Sequence, residues 1–278
     1  MLVVIGDLVA DLIVLGGVGL ERGTDNPAEV RLTRGGSAAN VAVAAAAQHP
    51  SRFVGRVGDD TLARVLVGEL EAAGVEVRVQ RAGRTGSIVV LVDAVGERTM
   101  ITDRGAAAEL DAIDPAWVDG ADWVHVPLYG LATPASRRAV TDAATLAAAA
   151  GARVSLDLSS VASLRELGAE ALQEVVAELR PDVVFANEDE AGFATSMGLT
   201  PGGVYVVKRG AEPVLLTAGE ATVEVPVERV DDVLDSTGAG DAFAAGYIVA
   251  ALGGAHPRES ARAGSVLAMR ALRRPGAL

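Results

Sequence analysis

The chain has 278 residues, 50% hydrophobic and 3% aromatic, with a formal net charge of −13. That length fills one large α/β domain, the apolar fraction excludes a disordered chain, and no run of ~18 uncharged apolar residues exists to span a membrane. Cysteine is absent, which excludes disulfides, thiolate metal sites and cysteine nucleophiles; the acidic balance argues against a nucleic-acid backbone as partner but leaves small phosphates open to backbone amides.

Met1 leads straight into Leu-Val-Val-Ile-Gly without a basic leader. Residues 2–6 therefore read as a first strand, not a signal peptide, and predict a cytoplasmic protein. Further strands are predicted at 52–57, 123–126, 153–157, 183–186 and 204–207. Helices are predicted at 37–48, 61–73, 134–150, 164–179, 188–196, 240–252 and 258–272. Strands alternating with helices predict an α/β fold with a mostly parallel sheet covered on both faces. The stretches 12–34 and 75–103 break the alternation. Residues 88–93 and 98–101 around 94–97 read as a hairpin. These stretches are either ordinary edge hairpins or a small β-sheet. In the second reading a lid, from about 12–34 and 84–103, covers the carboxyl ends of the parallel strands within a single domain, 1–278.

The chain has one lysine, Lys208, and neither a Walker loop nor a Gly-x-Gly-x-x-Gly fingerprint after the first strand. Its most informative segment is Asp235-Ser236-Thr237-Gly238-Ala239-Gly240-Asp241-Ala242-Phe243, which opens an apolar helix. Gly238, Ala239 and Gly240 turn tightly and point N–H groups outward, and the helix adds its own free amides and positive dipole end. Such a turn can hold a transferring phosphoryl group. Asp241, in the first helical turn, is expected to be ionised at neutral pH and suited to hold an attacking hydroxyl. Taken alone, the same residues also read as a plain helix cap.

This segment resembles the C-terminal signature of the ribokinase-like carbohydrate kinases, the phosphofructokinase-B type. Gly35-Gly36-Ser37-Ala38-Ala39-Asn40 is similar to the family's N-terminal signature, and Asn187-Glu188-Asp189-Glu190 to its Asn-x-x-Glu motif. The three motifs occur in the family's order across nearly the whole chain. The resemblance implies a three-layer α/β/α sandwich and an ATP-dependent, Mg²⁺-requiring kinase acting on a hydroxyl of a sugar or sugar derivative. Asp241 would be the base and the 238–240 amides the anion hole. Asn187 and Glu190 would organise Mg²⁺ and the phosphates through water, Asn187 fitting a helix cap equally well. Gly35, Gly36, Asn40 and Asp11 would hold acceptor hydroxyls, with Asp7 on the same wall. Asp235 and Thr237 would contribute to a monovalent-cation site for potassium, completed by carbonyls around 270–276. Lys208 and Gly210 would lie near the nucleotide, Lys208 either on phosphate or solvated at the surface. The motif departs here from the family, because Gly210-Ala211-Glu212-Pro213 ends in proline.

The acceptor is less legible. Ribokinases proper carry Asn where this chain has Val9, and Lys-Gly where it has Ser37-Ala38, so two polar ribose contacts are missing. Tyr129 either stacks a nucleobase, as in nucleoside kinases for adenosine, cytidine or pseudouridine, or simply packs. Arg104 either pairs an acidic sugar or Asp103. Retention of Asp241 and the glycine loop argues against a non-catalytic sensor. No nucleic-acid or membrane partner is expected, and the open edges of a lid sheet make a homodimer through it an expectation.

Overall fold

The computed structural model describes residues 1–16, 19–93, 98–273 and 276. The first strand shows why the chain builds three layers. In β1 (Leu2–Gly6), Leu2 and Val4 point to one face and Val3 and Ile5 to the other, and all four are fully buried. A strand apolar on both sides needs cover on both sides. One cover consists of α1 (Ser37–Ala46), α2 (Thr61–Ala72), α7 (Ala239–Leu252) and α8 (Pro257–Leu272). The other consists of α3 (Pro134–Ala149), α4 (Val161–Leu167), α5 (Ala169–Leu179) and α6 (Glu188–Ser196).

The central sheet adds β4 (Ser51–Val57), β5 (Glu76–Arg81), β8 (Trp123–Pro127), β9 (Arg153–Asp157), β10 (Val183–Asn187), β11 (Val204–Arg209), β12 (Glu212–Ala218) and β13 (Ala221–Val225). Its order is β13-β12-β11-β10-β9-β8-β1-β4-β5. All pairs are parallel except β11–β12 and β12–β13, a terminal meander that the sequence reading did not anticipate. A second sheet of four strands comprises β2 (Val9–Leu15), β3 (Glu29–Gly35), β6 (Thr85–Val92) and β7 (Arg98–Gly105), in the order β3-β2-β6-β7. The predicted hairpin is its antiparallel β6–β7 pair, with the turn at 94–97 outside the described residues.

Two expectations are corrected. The stretch 75–103 does not belong wholly to the small sheet: β5 pairs in parallel with β4 at the edge of the main one. The helix predicted at 164–179 is two helices. The chain takes φ +82° at Gly168, which only glycine adopts cheaply, so α4 ends there and α5 begins. Among the described residues no helix is long and apolar enough to cross a membrane.

Candidate active site

The parallel strands end together, and their carboxyl ends face the N-termini of α1 and α7. Phe185 of β10 fixes α7 in place, with its ring edge-on to Tyr247 at 5.2 Å and to Phe243 at 6.3 Å. This packing sets Asp241, in the first turn of α7, against α1. Its Oδ1 accepts from Ser37 Oγ at 2.6 Å and its Oδ2 from Asn40 Nδ2 at 3.0 Å. Burial pushes the Asp241 carboxyl up to about 6, against the two hydrogen bonds and Lys208, which pull it down. The sequence reading expected the helix end to stabilise the anion; desolvation instead outweighs it. At neutral pH the group is still mostly ionised, and it is a better base than an ordinary carboxylate.

At the turn before α7, Ala239 N donates weakly to Ser236 O at 3.3 Å, so it is partly used within the turn. Among the described residues, the amides of Gly238, Gly240 and Asp241 have no such backbone acceptor. A Cβ on Gly240 would lie 3.3 Å from Lys208 Nζ, which places an ammonium beside the loop. Lys208 is not the solvated surface lysine that one reading allowed. It is largely buried and bonds Asp157 Oδ2 at 3.0 Å. Burial alone would lower its pKa, but the Asp157 and Glu190 carboxylates outweigh burial and hold it up.

The opposite wall comes from the end of β1 and the small sheet. Asp7 is buried; its Oδ1 accepts from Ala38 N and its Oδ2 from Arg104 Nη1, both at 3.3 Å. Gly36 has φ +102°, and a Cβ there would stand 2.4 Å from Asp7 O, so only glycine brings α1 in this close. A Cβ on Gly35 would fall 2.2 Å from Asp11 Oδ1, so the bare backbone makes room for that carboxylate. Asp11 Oδ1 is buried without a hydrogen-bond partner among the described residues. Burial, then the neighbouring Asp7, pushes the Asp11 carboxyl up to about 6. Asn40 Oδ1 accepts from Arg34 Nη2 at 3.3 Å, which turns its amide nitrogen toward Asp241.

Arg104 is not paired with Asp103, which takes Arg84 instead. Its guanidinium lies 4.0 Å over the Tyr129 ring, covering one face, and the Tyr129 hydroxyl donates to Ser159 O at 3.3 Å. Asn187 and Glu190 form a reciprocal cap on α6. Glu190 Oε2 accepts from Asn187 N and Oε1 from Asn187 Nδ2, while Asn187 Oδ1 accepts from Glu190 N, each at 2.8 Å. Burial, then Asp157, raises the Glu190 pKa. Gly210 forms the turn of the β11–β12 hairpin.

The Asp235 carboxylate is surrounded by donors. Oδ1 accepts from Thr237 N and Oγ1 at 2.7 Å and pairs with Arg98 of β7; Oδ2 accepts from Gly276 N at 2.8 Å. Burial would raise its pKa, but these donors hold it below the usual range. A cation needs open acceptor oxygens, and this carboxylate is already neutralised by a guanidinium. The set does not fit a monovalent cation; residues 274–275, expected to add carbonyls, lie outside the described residues. The residues expected to organise Mg²⁺ have different surroundings. Each Glu190 oxygen keeps a free lone pair after its one hydrogen bond, and Asp157 acts on it electrostatically. Among the described residues no cluster of three or more acidic or histidine side chains could ligate a metal directly, so any ion here would have to keep most of its water.

Sequence reasoning missed Arg34, Asp157 and Arg98, and met Ser37 only as a departure from ribokinases. Asp157 carried a usable signal, since it closes a predicted parallel strand at the end where ligands bind. Arg98 carried none.

The whole chain, residues 1–278, matches the pfkB family carbohydrate kinase profile. The chain belongs to the pfkB family of carbohydrate kinases. Such enzymes are phosphotransferases with an alcohol acceptor, and this one is a sugar kinase by family. It is 32% identical over 262 residues to a fructokinase of Vibrio alginolyticus, covering 88% of this chain and 82% of that one. It is 34% identical over 241 residues to an ATP-dependent ribose-1-phosphate kinase of Halopiger xanaduensis, covering 81% and 76%. The adenosine kinase of Sinorhizobium meliloti shares the fold with a TM-score of 0.86 at 23% identity, covering 99% and 94%.

Proposed function

We propose that this pfkB kinase transfers the γ-phosphoryl group of ATP to a hydroxyl of a small sugar or sugar derivative, with Asp241 as base. The observation that carries the reading is the pair of half-buried carboxylates, Asp241 and Asp11, which lie close enough to act on each other electrostatically. Among the described residues, Asp241 stands beside helix-end amides without an acceptor, and Asp11 has an oxygen without a partner. A sugar hydroxyl is the group that would satisfy Asp11 Oδ1. Asp7, Asn40 and the Gly35 and Gly36 backbone complete the acceptor wall, with Arg104 at its edge. The amides of Gly238, Gly240 and Asp241, with Ala239 as a weaker member, cradle the phosphoryl group, and Lys208 neutralises part of its charge. Asp241 orients the hydroxyl and takes its proton as the bond to phosphorus forms. Glu190 and Asn187, with Asp157, would hold a hydrated Mg²⁺, whose chemistry is to neutralise charge on the phosphates. Gly210 is no more than a turn near the nucleotide, and a monovalent cation is left out, because Arg98 already neutralises Asp235.

A second reading is a nucleoside kinase. The adenosine kinase likeness favours it, and Tyr129 could offer a ring to a base, though Arg104 covers one face. One experiment separates the two. Purified protein is incubated with magnesium ATP and fructose, ribose 1-phosphate, other sugars, adenosine, cytidine or pseudouridine, and products are read by mass spectrometry. A phosphorylated sugar supports the first reading, and a phosphorylated nucleoside the second. Asp241→Asn should lower kcat by about 10²–10⁴; wild-type turnover in that variant would remove the base from the mechanism.

A further inference from the structure

The hydroxyl that meets the base in this structure belongs to the protein itself. Ser37 opens α1, and its Oγ donates to Asp241 Oδ1 at 2.6 Å. That is the separation of a hydroxyl bonded to an ionised carboxylate. With its proton on Asp241, the oxygen presents its lone pairs elsewhere, which is how a general base activates a serine. The helix that carries Asp241 also supplies the free amides of Gly238 and Gly240, and Lys208 Nζ stands beside Gly240. A phosphoryl group held there meets whichever hydroxyl Asp241 holds, and without an acceptor that hydroxyl is Ser37. The backbone cannot carry Ser37 away. Gly36 is pinned against Asp7 O, and Asn40 N bonds Gly36 O at 2.9 Å.

We propose that Ser37 is itself a phosphoryl acceptor: with ATP bound and the sugar pocket empty, the protein phosphorylates its own Ser37. The Oγ–P bond forms while the bond from phosphorus to the β,γ-bridging oxygen breaks. The electron pair leaves with ADP, and the hydroxyl proton passes to Asp241. The product places nearly two negative charges where an acceptor hydroxyl must reach Asp241, and so closes the site. This inference rests on the kinase reading above.

The full chain is incubated with magnesium and γ-³²P-labelled ATP, with and without saturating fructose or ribose 1-phosphate, and phosphopeptides are mapped by mass spectrometry. Label is expected on Ser37 and absent from Ser37→Ala and Asp241→Asn. It should persist in Ser37→Thr and fall about tenfold or more when a sugar that is turned over fills the pocket. Sugar turnover should decline in step with the label. Circular dichroism checks that each variant is folded; if Ser37→Ala is not, the wild-type map decides alone. A map without phosphate at Ser37 overturns the inference, and so does label at Ser37 that survives Asp241→Asn. Sugar turnover in the same unlabelled sample leaves the kinase reading standing, whereas absence of both turnover and label counts against the two together.

Discussion

Asp241 carries the functional chemistry and a structural cost at once. Its carboxyl is raised to about 6, first by burial, so kcat/KM should climb with pH through an acid limb near 6 and level off above it. The same shift sets a stability trend. The unfolded chain releases this proton near pH 4, the folded chain near 6, so ionisation is easier unfolded and wild-type stability falls as pH rises across about 4 to 6. Asparagine does not titrate. Melting curves of Asp241→Asn and wild type should therefore diverge in favour of the variant across that window, by on the order of 1 kcal/mol after solvent screening, and run parallel above it. A constant offset at all pH values would mean that burial does not perturb this group. Asp11, also raised to about 6, acts in the same direction, so Asp11→Asn belongs in the same series.

At the level of elements, the site depends on how closely α1 approaches β1 and β2. Gly35 and Gly36 are adjacent but are needed for different reasons. A methyl at Gly36 meets the Asp7 backbone at φ +102°, and backbone cannot step aside. Gly36→Ala should lose about 2–4 kcal/mol and several degrees of melting temperature. The atoms nearest a methyl at Gly35 are those of the Asp11 carboxyl, which can swing away. Gly35→Ala should melt near wild type but show an acceptor KM raised about tenfold or more, because Asp11 no longer faces the pocket. Equal losses of stability would refute the distinction. The two glycines also show how far the sequence could be read. Strands such as Leu2–Gly6 and helices such as Ser37–Ala46 were legible because apolar runs and helix periodicity are local. The β12–β13 meander was not, since β13 is almost wholly exposed and Pro213 inside Glu212–Ala218 argues against a strand there. The break at Gly168 was hidden inside a good amphipathic pattern. In the site, the motif residues were visible, but Asp157–Lys208 and Arg98–Asp235 join residues 51 and 137 positions apart, a pairing no spacing rule contains. Arg98 in turn sets an ionic prediction. Because its guanidinium already neutralises Asp235, exchanging potassium for tetramethylammonium at constant ionic strength should leave kcat unchanged, while Arg98→Ala should lower activity and make it depend on potassium. Strong potassium activation of the wild type would overturn this assignment.

At the scale of the whole molecule, the small sheet has two unlike faces. Asp11, Thr33 and Ile88 share a cross-strand row on the side of the site, and Val90, two residues beyond Ile88 on β6 and so on the same face, is buried. On the other side, the register aligns Leu32, Leu12, Val89 and Ile101 in one row and Val30, Val14 and Leu91 in the next. Leu32 is 56% exposed, Ile101 60% and Val30 59%, so the outer face offers water a contiguous apolar surface. Single exposed leucines are ordinary; rows of them across four strands are characteristic of an interface. The sheet also ends in two open edges, β3 and β7, which favour pairing with another chain. A second copy supplies the same face, and a two-fold dimer would cover both while leaving the Asp11 side free to close on the acceptor. Light scattering should give twice the chain mass at micromolar concentration. The double change Leu32→Glu and Ile101→Glu should shift that to one chain mass without unfolding the main sheet, because neither side chain reaches either helical layer's core. Hydrogen exchange would then report the cost of separation: amides of β3 and β7 should exchange faster in the variant, and those of β1 and β4 should not. A wild type that scatters as a single chain at all concentrations would assign the apolar rows no partner copy.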